Sequence, residues 1–160
     1  MKNKSAFQNI SSKTLLLFLG VILVVAFDQI TKYLAIRWVA IEAGGLDWIT
    51  FVDHRNYGIS FGIELPSFLA TSLVILFLII LLYLFFMNSS YSHVYYLGLV
   101  ISIGGGFSNL IDRLILGFVR DFISISYLPI FNLADIAIVI GVSLIIVGIF
   151  GYNRDEISKT

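Results

Sequence analysis

Asp121 and Asp135 stand fourteen residues apart, on either side of a polar connection between two long apolar runs. If those runs are antiparallel helices, both carboxyls return to one depth at one end of a bundle. Two carboxyls in contact cannot both ionise cheaply, so such a pair shares a proton and can activate water against an amide. The reaction class this suggests is metal-free hydrolysis. A plainer reading competes with it, in which Asp135 caps the helix it opens and Asp121 is solvated loop. Asn109, Asp112 and Arg113 are spaced i, i+3, i+4 on one helical face, with Gly105 four residues earlier, where a missing side chain admits a backbone or a substrate. An ion pair between Asp112 and Arg113 is the simpler account of that face. Asp28 and Lys32, at i, i+4, read in the same way as a surface ion pair. Asn132, three residues before Asp135, and Asn56, in a turn-like Asn56-Tyr57-Gly58, are placed to support the carboxyls. No carboxylate or hydroxyl motif accompanies His54 or His93, and both are set aside.

Composition says what must hold these residues. Of 160 residues, 59% are hydrophobic and 12% charged, and the mean hydropathy is +0.98, which excludes a soluble globule. Ten Lys+Arg against ten Asp+Glu leave no basic footprint for nucleic acid. The absence of cysteine excludes disulfides and thiolate chemistry, and two histidines give a zinc site little to build on. Apolar runs predict four spans at about 14–30, 67–87, 94–112 and 130–152, in one domain covering 1–160. The first run, read alone, is short enough for a signal-peptide core. No cleavage pattern follows it, however, and apolar character resumes at Ile30, Tyr33 and Leu34.

An even number of spans puts both termini on one side, and Lys2, Lys4 and Lys13 favour the cytoplasm. Segments 31–66 and 113–129 then lie at the outer face, along with eight of the ten acids, Glu42, Asp47, Asp53 and Glu64 among them. Within the first segment we expect an amphipathic stretch from Ile30 to Val39, a Gly44-Gly45 turn and a strand from Trp48 to Val52. Trp38, Trp48, Tyr57 and Phe61 would sit at the interface. The expected fold is therefore an all-α polytopic membrane protein: four transmembrane helices, a small extramembrane β-rich segment and an interfacial helix. Intramembrane acids also serve ion-coupled transporters. A conduction path needs polar groups through the inner half, where spans two and four carry only Tyr83, Ser143 and Tyr152.

In order, the chain reads Asp28-Gln29-x-x-Lys32, Asn56-x-Gly58-x-x-Phe61, Gly105-x-x-x-Asn109-x-x-Asp112-Arg113, Asp121-Phe122 and Phe131-Asn132-x-Ala134-Asp135. This ordered set resembles the lipoprotein signal peptidases (signal peptidase II) of bacteria over about residues 15 to 150. The resemblance implies a monomeric aspartyl endopeptidase of the bacterial plasma (inner) membrane, with its active site near the outer face. It implies partners too: diacylglyceryl prolipoproteins, whose signal peptides the family removes, and membrane lipids, but no nucleic acid, metal or cofactor. It also implies that Asp121 and Asp135 are the catalytic dyad and that Asn56, Gly105, Asn109, Arg113, Asn132 and Ala134 line or support the site. Asp28, Lys32 and Asp112 would hold its shape. Two residues depart from the family's usual pattern. Ser108 stands where a glycine commonly precedes the asparagine, and Arg120 where an apolar residue commonly precedes the first aspartate. We expect Arg120 to point away from the pair toward lipid headgroups, since a guanidinium on the pair would depress a carboxyl pKa and hinder the shared proton.

Overall fold

A computed structural model describes residues 2–41, 45–46, 48–58, 65–87 and 92–157. Gly44, Phe61, Glu42, Asp47 and Glu64 lie outside the described residues, as do residues 88–91 between the second and third helices.

Four long helices carry the fold: α1 (Lys2–Ile41), α2 (Ser67–Met87), α3 (His93–Leu116) and α4 (Leu133–Ile157). Each contains a stretch long and apolar enough to cross a bilayer. Leu23, Phe68, Ile79, Val139 and Phe150 face outward from these stretches, an apolar surface suited to lipid and not to water. α3 is the central element. Its Tyr95, Leu99 and Ile103 form a core with Leu17 of α1, Leu78, Leu81 and Phe85 of α2 and Ile145 of α4. Lipid gives helices little hydrophobic drive to associate, so close packing depends on small residues. A Cβ at Gly98 would lie 2.5 Å from the Gly141 carbonyl oxygen, and one at Gly105 would lie 2.6 Å from that of Ala134, so α3 and α4 approach backbone to backbone.

Local chemistry sets the helix ends. The Pro66 carbonyl accepts the first N–H groups of α2, from Leu69 and Ala70, and the Ser92 hydroxyl caps α3 by accepting from Tyr95 N–H. α3 stops at Gly117, whose φ of 82° is cheap only for glycine, and the chain leaves sharply into a strand.

A three-stranded antiparallel sheet sits at this end of the bundle, in the order β1 (Gly45–Leu46), β2 (Ile49–Asn56), β3 (Val119–Ile125). It stacks on α1 through Trp38, Phe51 and Phe122, with ring centroids 5.6 and 6.4 Å apart. Two details differ from the sequence reading. α1 does not end near residue 30; the stretch Ile30–Val39 forms its last turns and not a separate interfacial helix. Neither glycine nor proline interrupts residues 21–41, and Asp28 and Lys32 are buried against the protein, so they do not stop the helix. Likewise, the strand expected at 48–52 continues to Asn56 because it pairs with β3, a strand inside the segment read only as a connection. Beyond β3 the chain turns at Tyr127 (φ 72°) and returns through a single bridge, Ile123 to Phe131, into α4.

Candidate active site

Alternation along β3 puts Arg120 and Asp121 on opposite faces of the sheet, and Asp121 is buried. Asp121 pairs with His54 across the strands, whereas Ile123 pairs with Phe51, so β2 carries one extra residue between Phe51 and His54. That bulge shifts the alternation by one and turns Asn56 to the face of Asp121. The Asn56 amide Nδ2 donates to Asp121 Oδ2 at 2.9 Å.

α4 brings the second carboxyl. Asn132 Oδ1 accepts from the Asp135 backbone N–H at 3.0 Å, while Asp135 Oδ2 accepts from the Asn132 backbone N–H at 3.2 Å. This is a reciprocal capping box. With its oxygen committed to the cap, Asn132 can only turn its Nδ2 outward, and that group donates to Asp121 Oδ1 at 2.5 Å. The capping role considered for Asp135 and its apposition to Asp121 are thus both present, joined through one asparagine. From α3, Asn109 Nδ2 donates to Asp135 Oδ1 at 2.8 Å. Asn109 is oriented in turn by Lys32, whose ammonium can only donate and bonds Asn109 Oδ1 at 2.9 Å.

Among the described residues neither Asp121 nor Asp135 forms a salt bridge. Burial pushes the Asp121 carboxyl up to about 7, and the neighbouring Asp135 adds to this; the Asn56 and Asn132 amides and the charge of Lys32 pull the other way.

The cations go to two other aspartates. Lys32 lies 2.8 Å from Asp28 and 3.2 Å from Asp112, all three buried, so the i, i+4 pair is an interior pair and not a surface one. Asp28 also accepts from Ser108 Oγ at 2.6 Å and from Ala134 N–H at 2.8 Å. Asp112 does not pair with Arg113, since neighbours on a helix point about 100° apart. It accepts from Arg120 Nη2 at 2.7 Å and from Gln29 Nε2 at 2.9 Å. Arg120 therefore points away from the carboxyl pair, but into the protein and not toward headgroups. Arg113 instead donates Nη2 to the Gly58 carbonyl at 2.5 Å, and its buried Nε and Nη1 have no hydrogen-bond partner. Gly105 admits the Ala134 carbonyl, which is a backbone and not a substrate. Gln29 went unremarked in the sequence as a site residue, although it stands beside Asp28 in the first fragment.

Two cavities reach both Asn56 and Asp135. One, of about 500 Å³, is apolar and lined by Leu128, Pro129, Ile130, Ile136 and Val139; the other, of about 170 Å³, contains Arg113, Asn109, Leu73 and Phe77. Among the described residues no three His, Cys, Asp or Glu side chains converge as metal ligands would. His54 is exposed on β2 across from Asp121, and His93 begins α3 at the far end of the bundle.

The family model described as signal peptidase (SPase) II matches residues 20–151. A lipoprotein signal peptidase of Aquifex aeolicus is 35% identical over 152 residues, covering 89% of this chain and 91% of that protein. One from Chlorobium phaeobacteroides is 34% identical (87% and 96% covered), and one from Staphylococcus aureus 33% (86% and 90%). Two solved bacterial membrane enzyme structures superpose with TM-scores of 0.72 and 0.68, at 30% and 32% identity, over 87% and 83% of this chain and 90% and 91% of theirs. Sequence and fold agree along most of the length, and the chain belongs to the signal peptidase II family.

Proposed function

We propose that this protein is a membrane-embedded aspartyl endopeptidase that removes signal peptides from diacylglyceryl-modified prolipoproteins, with Asp121 and Asp135 as its dyad. The observation that carries the reading is that a buried carboxyl, Asp121, and a half-buried one, Asp135, are held by asparagine amides and a backbone N–H, with no cation paired to either among the described residues. Such a pair can keep one proton between its members. The ionised aspartate takes a proton from water, the protonated one donates to the scissile carbonyl, and the hydroxyl adds to the carbonyl carbon. The tetrahedral intermediate then collapses as the leaving nitrogen gains a proton.

Asn109 and Asn132 are already committed to the carboxylates. The unpartnered N–H groups of Arg113 are therefore the donors for the substrate backbone or for the developing oxyanion. The large apolar cavity beside Asp135 suits lipid-bearing substrate that enters sideways from the bilayer. In this reading the chain is a single, monomeric domain of the bacterial plasma membrane. Both termini are cytoplasmic, the site lies near the outer face, and no metal or cofactor enters the reaction.

The test is a gel-mobility assay on purified wild type, Asp121→Asn and Asp135→Asn, each given a diacylglyceryl prolipoprotein and its unlipidated form with a chelator present. We expect wild type alone to cut, and only the lipidated form, with each variant slowed at least about a thousandfold. Full activity in either variant would sink the assignment.

A further inference from the structure

Arg120, which the sequence singles out as a departure from the family's usual pattern, makes four polar contacts, all to one aspartate and one glutamine. Its Nη2 donates to Asp112 Oδ1 at 2.7 Å and to Gln29 Oε1 at 2.5 Å; its Nε (3.2 Å) and backbone N–H (3.0 Å) both reach Asp112 Oδ2. Ser108, the other departure, meets the same glutamine: Gln29 Nε2 donates to Ser108 Oγ at 3.0 Å, to Ser108 carbonyl oxygen at 3.2 Å and to Asp112 at 2.9 Å. One network thus ties β3, α3 and α1 together on the side of β3 away from the carboxyl pair.

Charge counting shows what the network does. Asp28 and Asp112 are fully buried beside Lys32, which alone neutralises only one of them. Arg120, about four-fifths buried, brings the cluster to zero. The distances show how the cations divide their work: Asp112 is held more closely by Arg120 (2.7 Å) and Gln29 (2.9 Å) than by Lys32 (3.2 Å), and Lys32 lies closer to Asp28 (2.8 Å) and Asn109 Oδ1 (2.9 Å). Of the two donors to Asn109 Oδ1, Lys32 at 2.9 Å and Asn132 Nδ2 at 3.3 Å, Lys32 is the closer, and together they turn the Asn109 amide toward Asp135.

We propose that Arg120 is a positioning residue for the reaction: by neutralising Asp112 it leaves Lys32 to orient Asn109, and through it Asp135. This rests on the aspartyl-dyad reading above. Without Arg120, Lys32 is drawn to Asp112, Asn109 loses the closer of its two donors, and an uncompensated negative charge stands near the dyad. The other charged or titratable groups around the pair are Asp28 and Lys32 from α1, His54 opposite Asp121 on β2, and Arg113 from α3, while Arg55 lies opposite Arg120. At this end α2 presents none among the described residues.

The experiment is the pH profile of kcat and KM on lipidated prolipoprotein for wild type, Arg120→Gln, Arg120→Lys, Asp112→Asn and the Arg120→Gln/Asp112→Asn double variant, with Asp121→Asn as control. Arg120→Gln should lower kcat on the order of tenfold with little change in KM. It should also move the profile up by roughly half a pH unit or more, because added negative charge favours protonated carboxyls. Asp112→Asn should move the profile down, and the double variant, neutral again, should return it to the wild-type position. Arg120→Lys keeps the charge but loses the fork, so its profile should stay in place while kcat recovers only in part. An Arg120→Gln profile that coincides with wild type, while Asp121→Asn is inactive, overturns the proposal. If Arg120→Gln does not accumulate as folded protein, an unshifted Asp112→Asn profile overturns it. An active Asp121→Asn overturns the dyad reading itself, whatever Arg120 does.

Discussion

Four aspartates gather at one end of this bundle, Asp28, Asp112 and Asp121 buried and Asp135 half-buried, and they fall into two pairs with opposite surroundings. Asp28 and Asp112 are met by Lys32 and Arg120, whereas Asp121 and Asp135 are met by the amides of Asn56, Asn109 and Asn132. Residue type is the same in both, so the main difference lies in what each carboxyl touches. A cation fixes a carboxylate in its ionised form, which suits a structural joint. An amide holds the carboxyl in place and favours the ionised form far less, which suits a group that must exchange a proton. Lys32 bridges the two regions without confusing them: two of its contacts are with carboxylates, and the third reaches Asp135 only through Asn109.

The sharpest way to break this contrast is to give the amide-held pair a cation. Asn56→Lys would place an ammonium beside Asp121 and hold it ionised, and turnover should fall by at least about a hundredfold in the lipoprotein cleavage assay. Taking a cation from the other pair should act on stability instead. Lys32→Met leaves two buried carboxylates with one guanidinium, and denaturant titration in detergent should show a loss of about 3–5 kcal/mol.

A smaller effect follows from the raised Asp121. Its value near 7 in the folded protein exceeds the ordinary 3.8, so the native state binds this proton more tightly than the unfolded chain does. The contribution is present below about pH 4 and is lost as pH rises through 7. Asp121→Asn should remove that decline, and so be more stable than wild type by up to a few kcal/mol at pH 8, with little difference at pH 4. Smallest of all, Asn132→Ala removes the cap of α4 together with one carboxylate contact, and should cost roughly 1–2 kcal/mol in the same titration.

The spans could be read because a bilayer demands long uninterrupted apolar runs, and Phe68–Phe86 meets that demand by composition alone. That Asp121 and Asp135 come close enough to share Asn132 follows from the same spans, because a short connection between antiparallel helices leaves its ends few places to go. What stayed hidden was direction. Asp112 and Arg113 are neighbours in sequence, yet they turn to different partners, Arg120 and Gly58, which lie eight and fifty-five residues away. Asp28 and Lys32 looked like an exposed pair because nothing local shows that α3 and α4 cover them. Nor does composition reveal β3: Val119–Ile125 becomes a strand by pairing with β2, and the bulge that aims Asn56 exists only in that pairing.

The single bridge between Ile123 and Phe131 bears on how the site is assembled. Closing a chain loop costs entropy that grows with the logarithm of its length, so joining Asp121 to Asp135 across fourteen residues is cheaper by about 1.6 kcal/mol than joining Asp28 to Asp112 across eighty-four. The half proposed to be reactive is thus a nearly local unit, made from one strand, one turn and one helix start. In the ionic half Asp112 and Arg120 are close in sequence, but Asp28 and Lys32 join them only when α1 has docked on α3. During folding Asp121 and Asp135 can meet at Asn132 before their supports arrive, and loosening of α1 would release Lys32 from Asn109 while that link stays in place.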